Sequence, residues 1–188
     1  MSRKKTKKLK IAVYGGSFNP PHLGHFRVAQ SAVEDIHPDK LLIIPDNLPP
    51  HKELSSNAPA APLRLEMCKI AFRDIECAEV SSMELDRGGR SYTYDTLVQL
   101  HELYPGAEFV LIMGQDMMDS FSTWHRPDDI LKLCTLYVAP RPDGSESSSA
   151  ARKQIESDGY SPMLSAEINK FIQENNLYTE VKYDGNTV

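Results

Sequence analysis

Two histidines, His22 and His25, stand three residues apart in the stretch YGGSFNPPHLGH, which follows an apolar run. Residues with this spacing share one face of a helix, so both imidazoles are predicted to lie near the positive end of a helix dipole. The pair Gly15 and Gly16 would let a phosphate approach main-chain N–H groups at the end of a strand, and the two prolines would stiffen the turn. The stretch therefore predicts a site that handles phosphate.

Other phosphate and metal motifs do not fit this stretch. The sequence has no G-x-x-x-x-G-K-[ST] loop, and its glycines do not follow the G-x-G-x-x-G spacing. The histidines form H-x-x-H rather than H-E-x-x-H, and no third ligand is evident, so we expect no metal bound by protein side chains. Cys68, Cys77 and Cys134 lack paired spacing and are predicted to be reduced, partly buried apolar side chains.

The composition is that of an ordinary globular chain with an uneven distribution of charge. Its 188 residues, 40% of them hydrophobic, suffice for one compact domain. The net charge is −5 although six of the 21 basic side chains lie in residues 1–10, so the body is acidic and nucleic-acid binding is not expected. Residues 1–8 are predicted to be a disordered tail. Because neither a membrane-length apolar run nor a secretory signal is present, the expected location is the cytoplasm.

Strand and helix patterns alternate along the chain. The predicted strands, all but the third nearly continuous apolar runs, are 9–16, 40–46, 78–86, 107–116 and 134–142. The predicted helices are 22–37, 62–74, 91–105, 117–121, 127–133, 150–156 and 165–175, the third with Ser91 or Thr93 as its cap. This order predicts a single Rossmann-like, doubly wound parallel sheet with helices on both faces. Ligands of such sheets bind at the carboxyl ends of the strands.

The segment GSFNPPHLGH resembles the signature of the nucleotidyltransferase superfamily that carries an H-x-G-H motif. The serine-rich stretch SSSAAR at 147–152 resembles the second shared feature of that superfamily. Between and beyond them, the order of segments is similar to that of the bacterial nicotinate-nucleotide adenylyltransferases, over about residues 9–178. The matching segments are LPPHK (48–52), RLEM (64–67), SYTYDTL (91–97), GQDMMDSFSTWHR (114–126), YVAPRP (137–142) and FIQENNLY (171–178).

This resemblance implies an enzyme of NAD biosynthesis that transfers AMP from ATP to nicotinate mononucleotide and releases pyrophosphate. Since the acceptor phosphate is already ionised, catalysis would rest on alignment and charge stabilisation. His22, His25 and Arg152 are then the expected catalytic residues. Mg²⁺ is expected to bind mainly through the ATP phosphates and water. The expected ATP-binding residues are Gly15, Gly16, Ser17, Phe18, His22, His25, Gly114, Asp116, Ser147, Ser148, Ser149 and Arg152.

A second group of residues is implied for nicotinate mononucleotide, and most of its members have a plainer alternative role. Trp124 would stack on the pyridine ring or anchor the core, and Thr93 would hold the carboxylate, cap a helix, or do both. Asp116 would contact the adenosine ribose or simply favour a helix start. The expected mononucleotide-binding residues are Ser17, Lys52, Thr93, Trp124 and Arg141; Lys52 is otherwise an exposed loop cation, and Arg141 otherwise closes a strand.

The chain departs from the resemblance just before its serine-arginine motif. Related enzymes carry a longer segment between the PRP tripeptide, which ends here at Pro142, and the serines. Glu146 stands where an apolar residue is usual, and Ala151 replaces a larger aliphatic side chain. The segment is therefore expected to pack less firmly around Arg152.

Other functions stay open at this point. The chain could be a sister nucleotidyltransferase that uses nicotinamide mononucleotide or another phosphorylated acceptor, or an ATP-binding regulator without turnover. A third reading gives the basic tail an RNA contact. The nucleotidyltransferase domain is expected to span 9–178, followed by a tail at 179–188. No membrane partner is expected, and the sequence leaves the oligomeric state open, a homo-oligomer included.

Overall fold

A computed structural model describes residues 7–50, 53–140 and 146–179. Five parallel strands form one sheet in the order β3-β2-β1-β4-β5. The strands are β1 (Lys10–Gly16), β2 (Lys40–Pro45), β3 (Ala78–Val80), β4 (Glu108–Gly114) and β5 (Thr135–Ala139). The chain runs outward from the central β1 to one edge and then returns to build the other. This confirms the doubly wound parallel sheet predicted from the alternation of patterns.

Helices separate the strands in the predicted order, with one addition, α3, that the sequence analysis did not predict. They are α1 (Leu23–Ile36), α2 (Ala61–Phe72), α3 (Met83–Arg87), α4 (Thr93–Leu103), α5 (Gln115–Asp119), α6 (Pro127–Leu133), α7 (Ser148–Asp158) and α8 (Ala166–Glu174), with a 3₁₀ turn at Phe121–Thr123. In the part of the chain that the structure describes, no helix has both the length and the apolar character needed to cross a membrane.

The central strand separates two apolar cores. Because successive side chains of a strand point to opposite faces, Ile11 and Val13 pack with residues of α4 and α6, among them Leu97. Ala12 and Tyr14 pack on the other face with residues of α1 and α2. All four strand residues are buried, as a strand covered on both faces requires. Helices therefore cover both faces, as predicted.

A third apolar cluster lies away from the sheet and supports α7. Ala151 and Ile155 of α7 pack with Ile168 of α8, with Met67 of α2 and with the turn that ends at Tyr178. The cluster fixes one side of α7, so its opposite side can be held against the end of the sheet.

Two local predictions were wrong. The strand predicted at 78–86 ends at Val80, and α3 follows at once. The hydroxyl of Ser81 accepts the N–H of Met83, 3.3 Å away, so a local hydrogen bond turns the chain where a ladder would otherwise continue. Helix α4 has no side-chain cap among the described residues; its N-cap is Tyr92, and the Ser91 hydroxyl instead accepts the N–H of Asn47 at 2.9 Å.

Candidate active site

A cavity of about 610 Å³ opens at the carboxyl ends of the strands. Cavities of roughly 300–1,000 Å³ are typical of small-molecule sites. Loops that follow β1, β2 and β4 contribute to its wall, together with the starts of α4 and α7. The predicted site residues that line it are Gly15, Gly16, Ser17, Phe18, His25, Thr93, Asp116, Trp124, Ser148, Ser149 and Arg152. Segments up to 137 positions apart in the sequence are thus brought to one place.

Three predicted residues are placed differently, and two others lie outside the described residues. His22, Gly114 and Ser147 do not contribute to the part of the cavity wall that the structure describes. Gly114 ends β4 and is the N-cap of α5, while Ser147 is the N-cap of α7. Lys52 and Arg141 lie outside the described residues, so their predicted contacts stay predictions.

The glycine pair ends β1, as predicted, and the left-handed turn comes two residues later. Gly15 and Gly16 stay in β1, in register with Ile44 and Pro45 of β2. The left-handed backbone falls on Phe18, with φ of 42°, although a residue with a Cβ adopts this conformation at some expense in energy. A Cβ on Gly16 would lie 3.4 Å from the Phe18 ring. Gly16 therefore leaves room for that ring to fold under the loop.

The buried Phe18 ring packs against the imidazole of His25. Phe18 is buried and packs edge-on against Tyr14 and Phe72, with centroids 5.5 and 5.7 Å away. The His25 imidazole lies 5.0 Å from the same ring. This aromatic packing compensates for the strained backbone at Phe18 and restricts the orientation of His25.

His25 is held as a hydrogen-bond donor toward the cavity. Its Nδ1 accepts the backbone N–H of His22 at 3.1 Å. A neutral imidazole whose Nδ1 accepts must carry its proton on Nε2. The neutral ring of His25, which lines the cavity, is therefore in the tautomer that can donate from Nε2 to a phosphate oxygen.

His22 begins α1 and lies against His25. The two rings have centroids 3.7 Å apart and planes inclined by 33°. Burial lowers the pKa of His22 to about 4; Glu146 opposes this shift and Arg27 adds to it. His22 is consequently neutral at pH 7.

Gly24 explains why the motif requires a glycine between the histidines, and sequence reasoning did not single it out. A Cβ at residue 24 would lie 2.9 Å from Nδ1 of His22, closer than real Cβ atoms approach other heavy atoms. The glycine thus provides the space in which the His22 ring folds over the first turn of α1. The only signal in the sequence was its position within H-x-G-H.

Side chains of α7 donate hydrogen bonds to the loop after β1. The Ser147 hydroxyl caps the helix by accepting the N–H of Ala150 at 3.1 Å. The Ser148 hydroxyl donates to the carbonyl of Pro20 at 2.9 Å. Arg152 donates from one Nη to the carbonyl of Asn19 at 2.6 Å and from the other to the hydroxyl of Ser149 at 3.2 Å.

The described residues around Arg152 pack more firmly than the sequence predicted. Ala151 is fully buried in the third cluster. Glu146 forms an ion pair with Arg27 of α1 and so replaces an apolar contact with a charged one. Arg152 accordingly reaches the cavity despite the short connection.

A buried network, missed by sequence reasoning, joins the loops after β1 and β2. Arg64 of α2 is fully buried. One of its Nη atoms donates to the carbonyl of Ser17 and to the carboxylate of Asp46, at 2.7 and 3.0 Å; the other donates to the carbonyls of Asp46 and Asn47, at 2.7 and 3.0 Å. The Ser17 hydroxyl donates to the same carboxylate at 2.6 Å. Nε of Arg64 is buried without a hydrogen-bond partner among the described residues. Removing either Arg64 or Asp46 would leave the other charge buried and uncompensated.

Arg64 and Asp46 did leave a signal in the sequence. Asp46 directly follows an apolar strand, and Arg64 precedes the apolar residues Met67 and Cys68 by three and four positions. Residues with that spacing share a helix face, so an arginine there is predicted to be buried and to need an acidic partner.

The opposite wall of the cavity carries aromatic and acidic side chains. Trp124 packs on Phe121, with ring centroids 5.4 Å apart, and also lines the cavity, so it belongs both to the core and to the cavity wall. Thr93 is the first residue of α4. Neither Tyr92 nor His125 was predicted; both line the cavity, and their rings lie 4.7 Å apart.

Glu84 is the third unpredicted residue on this wall. Burial raises its pKa, while hydrogen bonds from Thr96 and Ser91 and the charge of Arg87 oppose the shift. Its carboxylate holds the segment that leads into α4, since Thr96 belongs to the first turns of that helix and Ser91 precedes it.

Asp116 lies across the cavity mouth on α5, a helix of which no residue is buried. The structure leaves both predicted roles of Asp116 in place, since it lines the cavity and stands in the first turn of a helix. The ribose contact and the favourable interaction with the helix dipole therefore both stay predictions.

Comparison with known proteins gives consistent matches. The cytidylyltransferase-like family model matches residues 13–181. A probable nicotinate-nucleotide adenylyltransferase of Fusobacterium nucleatum is 40% identical over 136 residues, which are 72% of this chain and 69% of the relative. Another, of Listeria monocytogenes, is 33% identical over 187 residues, covering 91% of this chain and 98% of the relative. A Plasmodium falciparum nicotinic acid mononucleotide adenylyltransferase, solved with NaAD, shares the fold with a TM-score of 0.72 at 21% identity, over 92% of this chain and 98% of that one.

Proposed function

This chain belongs to the nicotinate-nucleotide adenylyltransferase family of the cytidylyltransferase-like proteins, and on that premise we propose that it transfers AMP from ATP to nicotinate mononucleotide. The products are nicotinate adenine dinucleotide and pyrophosphate. The observation that supports the proposal most strongly is that one cavity is lined by two sets of residues. Residues of β1, α1 and α7 that could donate hydrogen bonds to phosphate line it together with Trp124 and Thr93. A single site thus offers places for a triphosphate and for a pyridine ring.

The reaction needs two phosphates brought into line. An oxygen of the mononucleotide phosphate attacks the α-phosphorus of ATP, and the bond from that phosphorus to the bridging oxygen of pyrophosphate breaks. Because the attacking phosphate is already ionised, no side chain has to remove a proton. Catalysis then depends on alignment and on donors placed where negative charge develops.

His25 and α7 are suited to stabilise that charge. The Nε2–H of His25 would donate to the phosphates of ATP from one side. From the other side, Arg152 and the first N–H groups of α7 would receive the departing pyrophosphate, since a helix N-terminus binds anions well. His22 would support His25 through ring contact, and the expectation that it contacts ATP directly remains a prediction.

Trp124 and the start of α4 would bind the nicotinate end. The indole would stack on the pyridine ring, and the N–H groups beginning at Thr93 would receive the carboxylate. No side chain caps this helix among the described residues, so those donors are not used by a cap. A preference for the acid over the amide would follow from them.

Mg²⁺ fits this site as a companion of ATP. In the described part of the chain, no group of three or more histidine, cysteine, aspartate or glutamate side chains is placed to hold a metal ion. The ion would therefore be coordinated mainly by phosphate oxygens and water. When bound, it supplies charge neutralisation on the triphosphate. We place the reaction in the cytoplasm, where ATP is available.

The test is direct identification of the product. The purified chain is incubated with Mg-ATP and nicotinate mononucleotide, and the mixture is separated by chromatography with detection of nicotinate adenine dinucleotide and pyrophosphate. Equal amounts of both products support the proposal. Binding of ATP without either product contradicts it and instead supports an ATP-binding regulator.

A further inference from the structure

Tyr178, near the end of the chain, contacts the loop that holds the predicted phosphate donors. Its hydroxyl donates to Oδ1 of Asn19 at 2.8 Å. Asn19 lies in the loop after β1, 159 positions away in the sequence, and is 5% exposed. Tyr178 itself is 2% exposed, so this hydrogen bond lies in the interior of the protein.

Asn19 connects Tyr178 to Arg152. The carbonyl of Asn19 accepts the guanidinium of Arg152 at 2.6 Å, while its side-chain Nδ2 donates to the Ser55 hydroxyl at 3.4 Å. Both the oxygen and the nitrogen of the Asn19 side-chain amide therefore have hydrogen-bond partners. These bonds hold the residue in place and so help to fix the direction of its backbone carbonyl, which accepts Arg152. Because Phe18, the preceding residue, has a left-handed backbone, the loop depends on such contacts to keep its shape.

Tyr178 also packs against the helix that carries Arg152. Its ring belongs to the apolar cluster that contains Ala151 and Ile155 of α7. The backbone of Tyr178 is left-handed, with φ of 60°, and this conformation accompanies the turn of the ring into the core. Burial raises the pKa of Tyr178, so its hydroxyl stays protonated and can donate.

We propose that Tyr178 is a positioning residue for adenylyl transfer, which sets Arg152 for the ATP phosphates through Asn19. The proposal rests on the function proposed above. It also accounts for the correct placement of Arg152 after a short connection, because the closing turn of the chain supplies support that does not depend on the preceding segment.

The test removes one hydroxyl and leaves the ring in place. Tyr178→Phe keeps the apolar packing and deletes only the donor to Asn19. The matched control is Tyr137→Phe, which deletes a hydroxyl that donates to Asp35 at 2.6 Å; neither of these two residues lines the cavity. For each variant, kcat and the KM values for ATP and nicotinate mononucleotide are measured, together with the unfolding temperature.

We expect Tyr178→Phe to lower kcat/KM for ATP by about 3- to 10-fold, as loss of one buried hydrogen bond does. The KM for nicotinate mononucleotide should change less than about twofold, and Tyr137→Phe should match the wild type. A Tyr178→Phe variant with wild-type kinetics would overturn the proposal. So would an equal increase of the KM values for both substrates, because that pattern indicates a general structural effect and not one on the ATP phosphates.

A double-mutant cycle distinguishes action through Arg152 from an independent effect. In an Arg152→Ala background, where residual turnover is measured at high enzyme concentration, Tyr178→Phe should change kcat/KM for ATP by less than about 1.5-fold. The same small change in kcat/KM for ATP is expected when Tyr178→Phe is made in an Asn19→Ala background. An equal loss in all backgrounds refutes the inference. If the wild type forms no product at all, the proposed function itself fails, and the two failures are thereby distinguished.

Discussion

The imidazole of His22 lies over that of His25, with ring centroids 3.7 Å apart, while the backbone N–H of His22 donates to Nδ1 of the same ring. These two contacts fix the orientation and the tautomer of the His25 imidazole within the H-x-G-H motif. One histidine supports the other, and the hydrogen bond to Nδ1 leaves the proton of the neutral His25 ring on Nε2.

Removing the predicted donor should lower turnover strongly. We expect His25→Ala to reduce kcat by a factor on the order of 10² or more, because a hydrogen bond aimed at developing charge is lost. His22→Ala is expected to have an effect on the same order. His101→Ala is the matched control, since its ring bonds the Leu133 carbonyl on another helix. Near-normal kcat in a folded His25 variant would exclude its catalytic role.

Gly24→Ala should reverse the usual effect of replacing a helical glycine. In an ordinary helix interior this change stabilises the protein by about 1 kcal/mol. Here the new Cβ would lie 2.9 Å from Nδ1 of His22, so we expect a lower unfolding temperature and a lower kcat through displacement of the ring. Thermal unfolding and steady-state kinetics of the variant measure both. A variant that is more stable and fully active would show that the ring does not need this space.

The free energy of unfolding should fall as the solution is acidified below neutrality. His22 has a pKa of about 4 in the folded chain and an ordinary histidine pKa of 6.5 in the unfolded chain, so between these values the unfolded chain binds a proton that the folded chain does not. This contribution is complete above pH 6.5 and is lost as the pH falls toward 4, and it is at most about 3 kcal/mol. Urea unfolding of the wild type and of His22→Gln at pH 7 and pH 4.5 tests it. The loss between the two pH values should be smaller in the variant, and equal losses would disprove the assignment.

Trp124→Ala should affect the two substrates unequally. The indole is proposed to stack on the pyridine ring, so its removal should raise the KM for nicotinate mononucleotide by about 10-fold and leave the KM for ATP within about twofold. Trp124→Phe, which retains an aromatic face, should recover most of the affinity. Equal increases in both KM values would mean that Trp124 acts only as a core anchor.

Periodicity and strand ends were sufficient to predict where the cavity forms. Ile11 to Tyr14 form a continuous apolar run, which requires a central strand covered on both faces, and parallel strands bring their following loops to one edge. The arrival of Thr93, Trp124 and Arg152 at that edge follows from the same rule.

Contacts across the fold could not be predicted in the same way. Arg64 meets Ser17 and Asp46, and Tyr178 meets Asn19, only after the chain has folded, since no local pattern encodes which loops a helix will touch. Local competition accounts for the strand that ended early, where the Ser81 hydroxyl bonds its own backbone neighbourhood. The left-handed backbone of Phe18 was not predicted either, because the aromatic packing that compensates for it forms only in the folded chain.

The most direct test of the account is pyrophosphate release from Mg-ATP, measured with nicotinate mononucleotide and with nicotinamide mononucleotide at matched concentrations. We expect turnover that strongly favours the acid, since the substrate carboxylate would meet the uncapped start of α4 at Thr93. Turnover that favours the amide, or ATP binding without pyrophosphate release from either acceptor, would contradict the proposed reaction.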